Sequence, residues 1–345
     1  AVGGPALEIF LSSPRRDFLR TQAYHFMGSG KKEPQFHLQT EDLPLEVSEF
    51  EGGLTITSGS TSLRVTTSPA SFTYYYKGKK LTNIGDRFGH AMLSTMQTPE
   101  GPFMRCQMDV DIGERLYGLG ERFTPFVKNG QVVDMWNEDG GTCSEIAYKN
   151  IPFYLSSKGY GVLVNSSGKV SFELCSEVVT RAQFSLPGEK LDFMVIGGGD
   201  CKTALENYTA LTGRPALPPA WSFGLWLTTS FTTSYDEKTV RSFVDGMAER
   251  DIPLHVFHFD CFWMKENEWC NFTWDDAMFD DAPAMLRRMK EERGLKICVW
   301  INPYIGQKSP LFKEGMERGY LLRRPNGDVW QWDLWQAGLA VVDFT

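Results

Sequence analysis

Long apolar runs are missing from this 345-residue chain, and none is long enough to cross a bilayer as a helix. Basic runs are missing too. The formal net charge is −8, which argues against nucleic acid or an anionic membrane as the main partner. No two cysteines have CxxC spacing. The seven, at Cys106, Cys143, Cys175, Cys201, Cys261, Cys270 and Cys298, are odd in number and leave at least one thiol free. His25, His37, His90, His255 and His258 show no metal-ligand spacing, alone or with cysteine. The turn after the first apolar run of the C-terminal part reads Thr228-Thr229-Ser230-Phe231 and not a glycine-rich loop, against both a dinucleotide site and a P-loop. A serine-hydrolase elbow, an HExxH helix and a kinase motif set are all absent.

What is present is a globular composition, 42% hydrophobic and 23% charged, rich in Phe, Tyr and Trp. Most of these rings are expected in a large core. Flat aromatic faces also stack on pyranose rings. Three sequons occur, at Asn165, Asn207 and Asn271. Chance supplies about one or two in a chain of this size, so the excess points to a secreted glycoprotein.

Residues 1–214 alternate apolar and polar positions with a period of two, as in Leu54-Thr55-Ile56-Thr57, Leu63-Arg64-Val65-Thr66, Tyr160–Val164 and Val170–Leu174. Lys202–Leu211 is the best helix candidate in this part. The pattern predicts an N-terminal β-sandwich. Gly213-Arg214-Pro215-Ala216-Leu217-Pro218-Pro219 is a stiff connector that no helix tolerates, and it places the domain boundary.

From 215 to 345 the rhythm becomes strand–helix–strand. Phe223–Leu227, Leu254–Asp260, Ile297–Ile301 and Leu339–Phe344 read as apolar strands. Asp236–Arg250, Ala284–Glu292 and Lys313–Gly319 read as helices, the first with Val240, Phe243, Val244 and Met247 on one face. Near-continuously apolar strands alternating with helices predict a parallel sheet covered by helices, here the first portion of a (β/α)8 barrel. In that fold, chemistry gathers where the strands end. The ends carry Ser230-Phe231, Asp260-Cys261-Phe262-Trp263, and Trp300 with Asn302. Taken singly, Phe231, Phe262 or Trp300 reads as core. The same acid, amide and aromatic mixture at three ends is equipment for gripping sugar hydroxyls and stacking on a ring. Hydrolysis of a glycosidic bond without a metal needs two carboxyl groups. Asp260 and Asp139 are available, and neither is marked as catalytic by its surroundings in the sequence.

These residues bring out a resemblance to glycoside hydrolase family 31, and within it to α-xylosidases. It rests on Tyr117-Gly118-Leu119-Gly120-Glu121-Arg122, Trp136-Asn137-Glu138-Asp139-Gly140-Gly141, Tyr148-Lys149-Asn150-Ile151-Pro152-Phe153-Tyr154, Pro218–Gly224, His258–Met264 and Ile297–Tyr304. Residues 1–100 match only as a generic sandwich. The resemblance implies a β-sandwich, a (β/α)8 barrel and small C-terminal β-domains. It implies a retaining, exo-acting glycosidase with no metal or organic cofactor. The family's nucleophile lies at the end of barrel strand four, in a Lys-Thr-Asp-Phe-Gly-Glu-like motif, and its general acid follows strand six. Neither motif occurs here, so Leu339–Phe344 is the approach to the nucleophile strand, and no catalytic carboxylate is expected in this chain. A second polypeptide carrying the rest of the barrel is the expected partner.

Carried over residue by residue, the resemblance makes Asp139, Phe231, Asp260, Cys261, Phe262 and Trp300 the sugar-binding wall, with Asp139 on a sandwich loop. The family's α-glucosidases have Ile-Asp where this chain has Cys261-Phe262. Phe262 accepts no hydrogen bond, which suits a pentose lacking the exocyclic hydroxymethyl group. The implied substrate is an α-xyloside oligosaccharide of the xyloglucan type. An α-glucosidase of the same family and a non-catalytic carbohydrate-binding subunit are the alternatives.

Overall fold

The computed structural model describes residues 5–28, 36–85, 92–138, 145–230 and 232–345. The chain divides into two compact units, Ala1–Pro215 and Ala216–Thr345.

The first unit is built from three antiparallel sheets. A six-stranded sheet runs in the order Glu8–Ser12, Phe18–Tyr24, Lys190–Gly197, Tyr160–Val164, Phe153–Ser156 and Leu116–Gly118. A five-stranded sheet runs Gln131–Met135, Val170–Leu174, Arg181–Pro187, Gly101–Asp109 and Leu93–Thr98. The strands Glu46–Phe50, Gly53–Ser58, Thr61–Thr67, Ala70–Tyr76 and Lys79–Gly85 form a third sheet, a simple meander.

Period-two alternation explains how the sheets meet. Val170, Phe172 and Leu174 are buried, while Ser171 and Glu173 on the other face are partly exposed. The rings of Phe172 and Phe184 approach to 6.0 Å within the second sheet, and Phe184 meets Phe193 of the first sheet at 5.4 Å. That ring chain crosses the sandwich core. Tyr74 of the meander, fully buried, reaches Thr21 of the first sheet at 3.1 Å between hydroxyls. The expected helix is Cys201–Thr212, started by Asp200, whose carboxylate accepts from Thr203 N–H, and ended at Gly213. It covers the six-stranded sheet, with Tyr208 stacked on Phe153 at 4.0 Å.

The second unit contains a three-stranded parallel sheet, Trp226–Leu227, Val256–Phe259 and Lys296–Val299. Two helices make the crossovers. Glu237–Glu249 is capped by Asp236, which accepts from Thr239 N–H. Ala282–Arg293 is capped by Asp281, carries Pro283 in its first turn and stops at the left-handed Gly294. The central strand is sealed, with Val256, Phe257 and Phe259 at 1% exposure or less.

Three expectations need correction here. The first strand is shorter than Phe223–Leu227, because Ala220–Phe223 forms a 3-10 turn behind Pro218-Pro219. On the first helix Val240 and Val244 are buried, but Phe243 is 38% exposed, so the apolar stripe is narrower than its spacing predicted. Leu339–Phe344 is not a fourth parallel strand. Leu339–Val341 lies antiparallel between Tyr304–Ile305 and Gln331–Trp332 in a separate sheet. The cause is local. The chain reverses over 333–338, where Gly338 takes φ +69° and its N–H donates to Asp333 Oδ1 at 2.8 Å. Strand-like composition alone does not show the direction of pairing.

Candidate functional site

The parallel strands deliver three chain ends to one side of the sheet, and hydrogen bonds lock those ends together. Asp260 follows Val256–Phe259 directly. Its backbone is extended, and Oδ1 accepts from Cys261 N–H at 2.7 Å, which caps the 3-10 turn Cys261–Trp263. Its other oxygen accepts from the Ser230 hydroxyl at 3.3 Å. The Asp260 N–H donates to the Tyr235 hydroxyl at 2.9 Å, and that hydroxyl in turn donates to the Ser230 carbonyl. Tyr235 is fully buried, and burial pushes its hydroxyl pKa up, so it stays a protonated donor. It ties the first strand end to the second. Trp263 performs the matching task for the third, donating from Nε1 to the Trp300 carbonyl at 2.8 Å.

A band of aromatic rings extends from this point. Phe262 lies 6.1 Å from Trp269, Trp269 lies 5.2 Å from Trp300, and Trp300 lies 6.4 Å from Trp335. Tyr304 joins Trp335 at 6.0 Å and Trp332 at 5.5 Å. Phe262 and Trp300 are half-buried, packed on the core yet open on one side. Cys261 is buried at 3% exposure, and its thiol is pushed up to about 12, first by burial and then by the charge on Asp260. It acts as a small apolar filler and not as a nucleophile.

Several polar atoms in the band have no protein partner. Trp269 Nε1, Trp332 Nε1, Asn302 Nδ2 and both amide atoms of Gln336 are enclosed and unpaired among the described residues. Asn302 holds its place through Oδ1, which accepts from Tyr304 N–H at 3.0 Å and from the Cys270 thiol at 3.3 Å. Enclosed atoms of this kind are closed to bulk solvent as the side chains stand, and ordered internal water is what would satisfy them.

The structure therefore brings together four of the six expected binding residues: Asp260, Cys261, Phe262 and Trp300. Asp139 and Phe231 lie outside the described residues. Sequence reasoning missed Tyr235, Trp269 and Trp335. The tract Trp330-Gln331-Trp332-Asp333-Leu334-Trp335-Gln336 carried a signal for the last of these. Among the described residues, no group of three or more His, Cys, Asp or Glu side chains is arranged to hold a metal ion. Among the described residues of the three strand ends Asp260 is the carboxylate, and hydrolysis of a glycosidic bond by two carboxyl groups needs a second.

The three sequon asparagines have engaged amides. Asn165 Nδ2 donates to Asp192 at 3.1 Å, Asn207 Nδ2 to the Gly197 carbonyl at 2.8 Å, and Asn271 Nδ2 to Glu268 at 3.3 Å. Each Nδ2 carries two hydrogens, so each bond leaves one N–H to spare.

A sandwich followed by parallel strands with helical crossovers is a β-sandwich joined to the first part of an α/β barrel. The chain belongs to glycoside hydrolase family 31. Residues 215–345 match that family's TIM-barrel domain, and residues 8–173 match its N-terminal galactose mutarotase-like domain. It is 50% identical to an alpha-xylosidase of Emericella nidulans, over 97% of this chain and 45% of that protein. It is also 50% identical to the alpha-xylosidase XylQ of Lactiplantibacillus pentosus, over 98% of this chain and 44% of that protein. The chain thus spans less than half the length of these curated relatives. Among solved structures, a Flavobacterium johnsoniae family 31 dextranase complexed with glucose superposes with a TM-score of 0.83 at 24% identity, covering 98% of this chain and 42% of that one. A family 31 alpha-xylosidase from a soil metagenome complexed with xylose gives 0.76 at 20% identity, over 98% of this chain and 51% of that one. At these identities the superpositions speak for the fold.

Proposed function

We propose that this chain supplies the sugar-binding wall of a retaining, exo-acting α-xylosidase that removes terminal α-linked xylose from xyloglucan-type oligosaccharides. The observation that carries the reading is the 50% identity to two alpha-xylosidases along nearly the whole chain, against 26% to the alpha-glucosidase 2 of Bacillus thermoamyloliquefaciens. The chemistry of the site supports it. Asp260 offers oxygens that accept hydrogen bonds from hydroxyls, the tryptophan band offers ring faces, and Phe262 lies two residues after Asp260. A hexose hydroxymethyl group set against that apolar ring would lose its hydrogen bonds to water. Apolar pockets discriminate against one added hydroxyl by roughly 10²-fold at most.

The reaction follows the two-carboxylate route. One aspartate attacks the anomeric carbon as the glycosidic bond breaks, while a second protonates the leaving oxygen. The covalent xylosyl-enzyme is then hydrolysed by water that the second aspartate, now a base, activates. Both aspartates are assigned to the remaining barrel, borne by a polypeptide beyond the residues described here. The test is product analysis with the full-length enzyme on isoprimeverose and maltose. Xylose released first as the α-anomer supports the reading. Faster cleavage of maltose, or release of the β-anomer, contradicts it.

A further inference from the structure

Trp269 packs against both of the rings presented at the second and third strand ends. Its indole meets Phe262 at 6.1 Å with an interplanar angle of 55°, and Trp300 at 5.2 Å with an angle of 68°. Phe262 and Trp300 are half-buried, whereas Trp269 is 9% exposed and has little surface to offer a ligand. Its Nε1 has no protein partner, so no polar contact fixes the ring. Size and shape fix it, and the edge-to-face packing on Trp300 is of the kind aromatic pairs favour. Among the described residues no other aromatic ring meets Phe262. A smaller side chain at 269 would leave a void into which Phe262 or Trp300 shifts.

The backbone around Trp269 is tightly constrained. Asn267 and Phe272 take left-handed φ of +63° and +58°, turning the chain on each side of Trp269-Cys270. Non-glycine residues hold such conformations where their surroundings impose them. The dipeptide is fastened to the chain that leaves the third strand. The Trp269 carbonyl accepts from Gly306 N–H, and Cys270 N–H donates to the Tyr304 carbonyl at 3.2 Å. A Cβ on residue 306 would lie 2.8 Å from that Trp269 oxygen, so the approach needs glycine. Cys270 is fully buried. Its thiol lies 3.3 Å from both the carbonyl oxygen and Oδ1 of Asn302, and accepts from Asn302 N–H at 3.5 Å.

We propose that Trp269 is a positioning residue for sugar selectivity: latched to the 302–306 chain through its own carbonyl and Cys270, it sets where the Phe262 ring stands relative to Trp300. The proposal rests on reading Phe262 as the apolar ring that meets the sugar. The test is a four-variant cycle in the full-length enzyme: wild type, Trp269→Leu, Phe262→Asp and the double variant, with kcat/KM measured on aryl α-xyloside and aryl α-glucoside. Trp269→Leu is expected to lower the xyloside-to-glucoside ratio by at least about 3-fold, yet by less than about 1.5-fold once Phe262 is Asp, because no apolar ring is then left to place. An equal loss on both substrates, or the same ratio change in both backgrounds, makes Trp269 a structural ring only and overturns the proposal while the Phe262 reading stands. A ratio that Phe262→Asp leaves untouched overturns that reading and the proposal with it. Cys270 supplies a milder variant that removes no ring and decides the question if Trp269→Leu does not fold. Cys270→Ala is expected to lower the same ratio, and Cys270→Ser, which keeps a donor and acceptor toward Asn302, to recover part of it. A wild-type ratio in folded Cys270→Ala enzyme overturns the latch and with it the proposal.

Discussion

Replacing Asp260 by Asn separates binding from folding at the strand ends. The carboxylate takes one protein donor on each oxygen, Cys261 N–H at 2.7 Å and the Ser230 hydroxyl at 3.3 Å. A carboxylate offers about four lone-pair sites, which leaves about two for sugar hydroxyls. Hydrogen bonds to a charged group contribute about 1.5–3 kcal/mol each. Asn keeps one acceptor oxygen for the Cys261 N–H, so the cap survives. It loses the charge and presents a donor in place of the other oxygen. The two sugar contacts together predict a loss of about 3–6 kcal/mol, or about 10²–10⁴-fold in kcat/KM. The assay is kcat/KM of the full-length enzyme on an aryl α-xyloside, paired with a thermal midpoint. The midpoint is expected to fall only modestly, because the Cys261 N–H keeps its acceptor and the Ser230 hydroxyl can rotate to accept from the new Nδ2. A kcat/KM loss under about 3-fold would refute the reasoning. Asp260 would then be a turn cap and nothing more.

Three further outcomes are expected. Tyr235→Phe strands the Asp260 N–H and the Ser230 carbonyl in a buried place, at about 1–3 kcal/mol; both the thermal midpoint and kcat/KM should fall, and an unchanged midpoint counts against the clamp. With its thiol pushed up to about 12, Cys261 holds about 10⁴-fold less thiolate than thiol at pH 8, so native protein should resist iodoacetamide there and react once unfolded; native labelling at Cys261, read by peptide mass, would contradict its burial. Protein made in a glycosylating host should lose mass on glycosidase treatment at the half-buried Asn165 or Asn207 before Asn271, which is 9% exposed; no shift at any of the three sets the glycoprotein reading aside.

Much of the architecture was legible because burial and local chemistry act on sequence-near residues. The run 254–260 contains the strand Val256–Phe259, and its terminal acid is where the apolar run said it would be. Asp200, Asp236 and Asp281 stand at the starts of their helices, as short acceptors do. What stayed hidden depends on groups that sequence does not pair. Tyr235 works by bonding two backbone groups on different strand ends, and backbone groups leave no pattern. Trp269 reads as one more core ring until folding sets it between Phe262 and Trp300. Leu339–Val341 has strand composition, but its antiparallel pairing is decided by a turn at Gly338.

The central claim is that this wall selects a pentose, and one comparison tests it most directly. Full-length wild-type enzyme and its Phe262→Asp variant would be assayed for kcat/KM on aryl α-xyloside and aryl α-glucoside. The wild type should prefer the xyloside by at least about 10-fold, up to the roughly 10² that an apolar wall can supply, and Phe262→Asp should shrink that ratio. A wild type that favours the glucoside, or a ratio that Phe262→Asp leaves untouched, would contradict the account.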